Sequence, residues 1–233
     1  MKKLLYIIIL FSISVHTYGQ QWSFGLQLGV GLANMKLDDN VLNDQITIQE
    51  GRRFATGSFG IQGILRESRD QPTRYFKPTF ALLVEASLCR CGGNVDVVTT
   101  LPSSRKSFSE LNYVQWQGNF RAMGMMNLKS FHLIFGPNFS YNFYSGVYVD
   151  ENDTPQDASN QFKSYALGYE AGIGTGSRKY MISFRYRGYF TDYGLKSDLF
   201  PTVYRNNQMR LVFSAFIFGK NIEKNRGSIF WRK

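Results

Sequence analysis

From Trp22 to Ala33 the chain alternates without a break. Trp22, Phe24, Leu26, Leu28, Val30 and Leu32 share one phase, and Ser23, Gly25, Gln27, Gly29, Gly31 and Ala33 the other. Successive side chains of a strand point to opposite faces, so period two predicts a strand. About twelve residues suffice to cross a bilayer at a tilt. The same pattern recurs near 54–65, 78–89, 111–126, 131–144, 164–176, 180–191 and 207–218, giving about eight strands with no internal repeat. Phe80, Leu82, Val84, Ala86 and Leu88 form one apolar row, Phe131, Leu133, Phe135, Phe139, Tyr141 and Phe143 a second, and Tyr165, Leu167, Tyr169, Ala171 and Ile173 a third. The opposite phase is mostly small or polar. The glycines of the first strand are no dinucleotide fingerprint, because that motif needs its glycines between a strand and a helix.

The connections alternate in length. Segments 35–53, 90–110, 145–163 and 192–206 are long and polar, 127–130 and 177–179 are tight, and 66–77 is intermediate. Long loops at one end and short turns at the other are the arrangement of an outer-membrane barrel with both termini in the periplasm. The fold expected is an all-β, eight-stranded antiparallel up-and-down transmembrane β-barrel spanning 20–218.

A soluble lipocalin-like barrel shows the same period with its apolar face turned inward. Residue choice separates the two. Water-facing surfaces carry many lysines and glutamates, yet after the first residues every lysine falls in a loop, a turn, a strand end or the tail. The polar phase is rich in Gly, Ser, Asn, Gln and Thr, which suit the crowded interior of a small barrel. Glu85, Arg121, Glu170, Arg185, Arg187 and Arg210 also lie in that phase. In a membrane barrel they would be lumenal and must pair, because an unpaired buried charge is costly. A structural charge network is expected, with ion selectivity as the alternative.

Residues 1–19 carry Lys2 and Lys3, an apolar run from Leu4 to Val15 and small residues around Tyr18, which reads as a secretory signal. Export to the cell outer membrane is therefore expected, and nucleic acid is not an expected partner. Removing that leader lowers the formal charge from +10 to +8, and the excess base lies in the short turns and in a basic periplasmic tail at 219–233. Cys89 and Cys91 are the only cysteines. Two thiols without a nearby histidine fall short of a zinc site, which leaves a strained disulfide or two inert thiols.

Trp22, Tyr113, Tyr141, Tyr144, Tyr165, Tyr180 and Tyr193 fall near strand ends, as interfacial girdles require. Pro137 removes a ladder donor, so a local bulge is expected there. His132 is the only histidine after the leader. It sits in lumenal phase at the short-turn end, without a serine or aspartate at matching depth. Asp38, Asp39 and Asp44, and Asp150, Glu151, Asp153 and Asp157, are acidic groups of two long loops with no EF-hand spacing. No catalytic, cofactor-binding or metal residue is assigned.

The segments Ile134-Phe-Gly-Pro137, Gly168-Tyr-Glu-Ala-Gly-Ile-Gly174 and Phe184-Arg-Tyr-Arg-Gly188, in this order and spacing, resemble the outer-membrane β-barrel family labelled porin-like or PorT-like. The resemblance implies a small barrel with no cofactor and no established catalytic set. The expected role is structural or envelope interaction through the long loops, with a narrow channel, an outer-membrane enzyme or a soluble binder as alternatives. Expected partners are outer-membrane lipids and, through the aromatic last strand Arg210–Phe218, the barrel-assembly machinery. A monomer is the expected state.

Overall fold

The computed structural model describes residues 21–36, 46–50, 53–66, 79–100, 106–128, 131–149, 156–176, 179–191 and 205–219. The leader, the tail beyond Gly219, Tyr193 and the acidic residues 38–44 and 150–153 lie outside them. The strands are β1 (Gln21–Lys36), β2 (Ile46–Glu50), β3 (Phe54–Arg66), β4 (Thr79–Thr100), β5 (Lys106–Leu128), β6 (Phe131–Val149), β7 (Gln156–Asp157), β8 (Tyr165–Gly176), β9 (Tyr180–Tyr189) and β10 (Arg205–Gly219).

Eight of them close a ring. β1 pairs with β3, then the order runs β4, β5, β6, β8, β9 and β10, and β10 returns to β1, each pairing antiparallel. Closure leaves no ring strand with an unpaired edge along its shared length. β2 continues the edge of β3 by pairing with β4 at Val95–Thr99, and β7 pairs with β6 at Gly146 and Val147.

The barrel is inverted relative to a soluble one. Phe80 and Phe135 are 63% and 65% exposed, whereas Glu85 and Arg185 are 1% and 0% exposed. Along β1 every residue of the apolar phase from Trp22 to Leu32 faces outward. Soluble monomers rarely expose contiguous apolar patches beyond roughly 300–600 Å²; here such a surface encircles the ring. The soluble-binder architecture is thereby excluded.

Four expectations are corrected. Segment 90–110 is no loop: β4 runs to Thr100 and β5 starts at Lys106, their ladder unbroken from Thr79↔Asn127 to Thr100↔Lys106. Two other long connections also carry structure, namely β2 within 35–53, and the end of β6, β7 and a 3₁₀ turn at Ser159–Gln161 within 145–163. Polarity hid these extensions, because a strand with both faces outside hydrocarbon need not alternate in the membrane manner.

Pro137 makes no bulge. Arg121 faces Asn138 and Gly124 faces Phe135, so the register with β5 is the same on both sides, and Pro137 remains opposite Tyr169 of β8. The ladder skips the proline instead of shifting. The bulges lie elsewhere. Trp116 faces Tyr144 but Gln117 faces Asn142, which makes Phe143 an extra residue, and Ile217 is extra opposite Phe24 and Gly25. After Phe143 the phase of β6 inverts, and Ser145 and Val147 turn inward.

Tyr113 is not in a girdle. It shares the phase of Arg121 and is buried in the lumen, while Trp116 and Tyr144, directly opposed across β5 and β6, are the outward aromatics at that level. Trp22, Tyr141, Tyr165 and Tyr180 do face outward.

Finally, the lumen is not uniformly small and polar. Ile64, Leu83, Met123, Met125, Ile134, Met181 and Phe216 form a buried apolar cluster at the short-turn end.

Candidate functional site: the sealed lumen

The lumen is built in three layers. At the short-turn end the apolar cluster draws on β3, β4, β5, β6, β9 and β10, and Arg66 covers it, its guanidinium carbon 5.8 Å from the Phe216 ring centre. These residues occupy the lumenal phase of their strands: Leu83 precedes Glu85 by two, Met123 follows Arg121 by two, and Met181 precedes Arg185 by four. Tracing each charged residue along its own phase would have found them.

The middle layer holds the charges. Glu85, Arg121, Glu170, Arg185, Arg187 and Arg210 all lie in the lumen, at most 2% exposed, and form one connected set. Glu85 is served by Arg121 Nη1 at 3.0 Å and Arg185 Nη1 at 2.8 Å. Glu170 is met by four guanidiniums: Arg121 Nε at 2.9 Å, Arg185 Nη1 at 3.3 Å, Arg187 Nε at 3.4 Å, and Arg210 Nη2 in the shortest contact of the set. Register explains the convergence. Glu85 opposes Arg121, Glu170 opposes Arg187, and Arg210 opposes Arg185, so the sheet itself aligns the partners across neighbouring strands.

Large guanidinium side chains fit because glycine stands opposite two of them. Gly31 opposes Arg210 and Gly172 opposes Arg185. A Cβ at either glycine would lie 2.9 Å from the arginine Cγ, inside van der Waals contact. Gly31 and Gly172 thus leave room for lumenal guanidiniums and for close approach of the neighbouring backbone.

A hydrogen-bonded chain leads upward from the charges. Arg187 Nη1 donates to Asn119 Oδ1 at 2.9 Å, which also accepts from Ser140 Oγ at 2.7 Å. Ser140 and Tyr189 hydroxyls lie 3.2 Å apart, Tyr189 donates to Gln117 Oε1, and Gln117 donates to Gln115 Oε1. Cys89 and Cys91 lie in this region, buried and free, with the Cys89 thiol directed at Gln208 Oε1 across the lumen. A disulfide is absent. The polar chain escaped the sequence reading because neutral side chains declare no partner until opposite walls are brought together.

The long-loop end is closed by Ala158 and Phe162, which follow β7 and pack on lumenal Tyr113, Val147, Ala166 and Tyr189 from four strands. Phe162 meets Tyr113 edge-on, with ring centres 5.5 Å apart. The Ala158 N–H donates to Ser145 O at 2.9 Å, pinning the segment to β6 where the phase has inverted. Asp157, in the same segment, is solvent-exposed. Hydrogen bonds from the Ser159 hydroxyl and, at 2.9 Å, from its backbone N–H hold the Asp157 carboxyl below the ordinary carboxylate range.

His132 is buried at the short-turn rim, opposite Asn127 and Gly174. Among the described residues no three His, Cys, Asp or Glu side chains are grouped as metal ligands.

No protein-family model matches the chain, and no curated protein is significantly similar to it. Solved structures do resemble it. Neisserial surface protein A shares 11% identity at a TM-score of 0.42, covering 84% of this chain and 99% of its own. Ail, the attachment invasion locus protein of Yersinia pestis, shares 10% identity at a TM-score of 0.40, covering 86% and 100%. The translocator domain of autotransporter NalP from Neisseria meningitidis shares 9% at 0.31, covering 93% and 95%.

Proposed function

We propose that this chain is an integral outer-membrane barrel that conducts nothing through its lumen and acts as an envelope-interaction protein at its long-loop end, which faces the cell exterior. One observation carries the reading. The lumen is blocked at three successive levels, while β4 and β5 run to 22 and 23 residues. A transmembrane strand needs about 9–11, so their hairpin continues well past the outward aromatics Trp116 and Tyr144, flanked by β2 on one side.

The location rests on the apolar exterior, which needs hydrocarbon around it. The finer likeness to PorT-like barrels draws support from where its motifs fall: the segments 168–174 and 184–188 carry Glu170, Arg185 and Arg187 with Gly172 among them. The aromatic end of β10 serves recognition by the assembly machinery, and the closed ring supports a monomer whose constant partners are outer-membrane lipids.

The test combines location, topology and conductance. Fractionation should place the protein in the outer membrane with heat-modifiable gel mobility. An epitope inserted in segment 101–105 should be reached by antibody on intact cells. Purified protein should give no stable conductance step in a planar bilayer. Discrete conductance, or an epitope accessible only after the envelope is broken, would refute the reading.

A further inference from the structure

Four guanidiniums and two carboxylates share the sealed middle layer, so the ion-pair set holds two more positive charges than negative ones. The imbalance is concentrated, because all four arginines contact the single residue Glu170. Asn119, Ser140, Gln117 and Gln115 satisfy hydrogen bonds, but neutral groups cancel no charge. Cys89, Cys91 and Tyr189 are the other ionisable lumenal groups of that region, and none of them is a carboxylate.

The hydrogen-bond balance points the same way by an independent route. Arg121 Nη2, Arg185 Nη2, Arg187 Nη2 and Arg210 Nε are buried with no hydrogen-bond partner, and so are the amide nitrogens of Gln115, Asn206 and Gln208. Gln208 stands directly opposite Arg187 and two residues from Arg210. In the same region the buried acceptors without a partner are Asn138 Oδ1, Asn206 Oδ1 and the hydroxyls of Ser87 and Thr56, which also donate, so donors still outnumber acceptors. Water offers donors and acceptors together and would leave a donor surplus standing. A species that only accepts, and carries negative charge, answers both deficits.

We infer that the lumen binds a small inorganic anion of halide size beside Arg187, Arg210 and Gln208, as an internal counter-ion enclosed when the barrel closes. Halide size follows from the interior of an eight-stranded barrel, which side chains fill, and from the apolar closures above and below. Enclosure makes exchange slow in the folded state, so the ion is acquired during folding.

The experiment refolds full-length protein from urea into detergent at fixed ionic strength, with bromide or with gluconate as the main anion. Bromide should raise the refolded yield and the thermal midpoint of gel mobility in a saturable way, as expected for a ligand of the native state alone. Crystals grown from the bromide preparation and washed free of halide should keep an anomalous bromine peak beside Arg187 and Arg210. The variant Arg187→Gln, which removes one excess charge, should lose most of the bromide dependence; if it does not fold, the wild-type anomalous map decides. Equal refolding in both salts with no enclosed bromine overturns the inference. So does an ultraviolet thiolate band in the native protein that vanishes in Cys89→Ser, because the chain would then supply its own anion.

Discussion

Glu85 and Arg121 stand directly opposite each other on β4 and β5, and Arg121 Nη1 lies 3.0 Å from Glu85 Oε2 with both side chains out of solvent. Neither is satisfied by the other alone. Glu85 also takes Arg185 from the far wall, and Arg121 also reaches Glu170. The pair is therefore one corner of a brace that ties β4 and β5 to β8, β9 and β10 across the lumen.

The brace makes Glu170 the more consequential carboxylate. Breaking a buried pair by removing one partner typically costs about 3–5 kcal/mol. Glu170→Gln should fall at or above that range, since it removes a carboxylate from four guanidiniums and leaves Arg187 and Arg210 with none among the described residues. Glu85→Gln, whose two arginines keep Glu170, should cost less. Urea midpoints of the barrel in detergent micelles would rank the two variants. The reverse order would contradict the geometry.

The outer face allows a sharp discrimination by charge. Leu28 is 62% exposed, in the middle of the outward row of β1. Arginine at the lipid-facing midplane of a barrel costs about 2–4 kcal/mol, so Leu28→Arg should fold poorly into liposomes and lower the urea midpoint. The same substitution on a water-facing surface would be nearly neutral, within about 0.5 kcal/mol.

Lumenal room is set by glycine. Gly172→Val places a branched side chain against Arg185, whose Cγ would already lie 2.9 Å from a Cβ there. Overpacking costs about 1–3 kcal/mol, and here it also displaces a guanidinium that holds both carboxylates. A thermal midpoint unchanged from wild type would show that the lumen tolerates the volume.

The short-turn plug is a packing element before it is a barrier. Met123 is fully buried in that cluster, and large-to-small core changes of this kind cost about 2–5 kcal/mol. Met123→Ala should therefore destabilise the barrel. It should still show no conductance in a planar bilayer, because the ionic layer and the Phe162 closure remain above it.

Much of the site was legible in the chain. Alternation assigned Glu85, Arg121, Glu170, Arg185, Arg187 and Arg210 to the phase opposite the bulky residues, and that phase is the lumenal one. The same rule, followed past each charge, reaches Leu83, Met123 and Met181. They were missed because an apolar residue in the polar phase looks like noise until several strands contribute one at the same depth. Tyr113 was misplaced for a related reason: proximity to a strand end resembled a girdle, although its phase already pointed inward.

The sequence by itself determined the period of two, the antiparallel barrel class and, along each stretch free of bulges, the side of the wall on which a residue lies, because strand geometry fixes a side chain's face locally. Only the tertiary structure decided which arginine meets which glutamate, where the ladder bulges and how the ends are sealed. Those outcomes depend on the relative depth of strands far apart in the chain. Register across the ring sets that depth, and the fold of segment 156–162 over the mouth completes it.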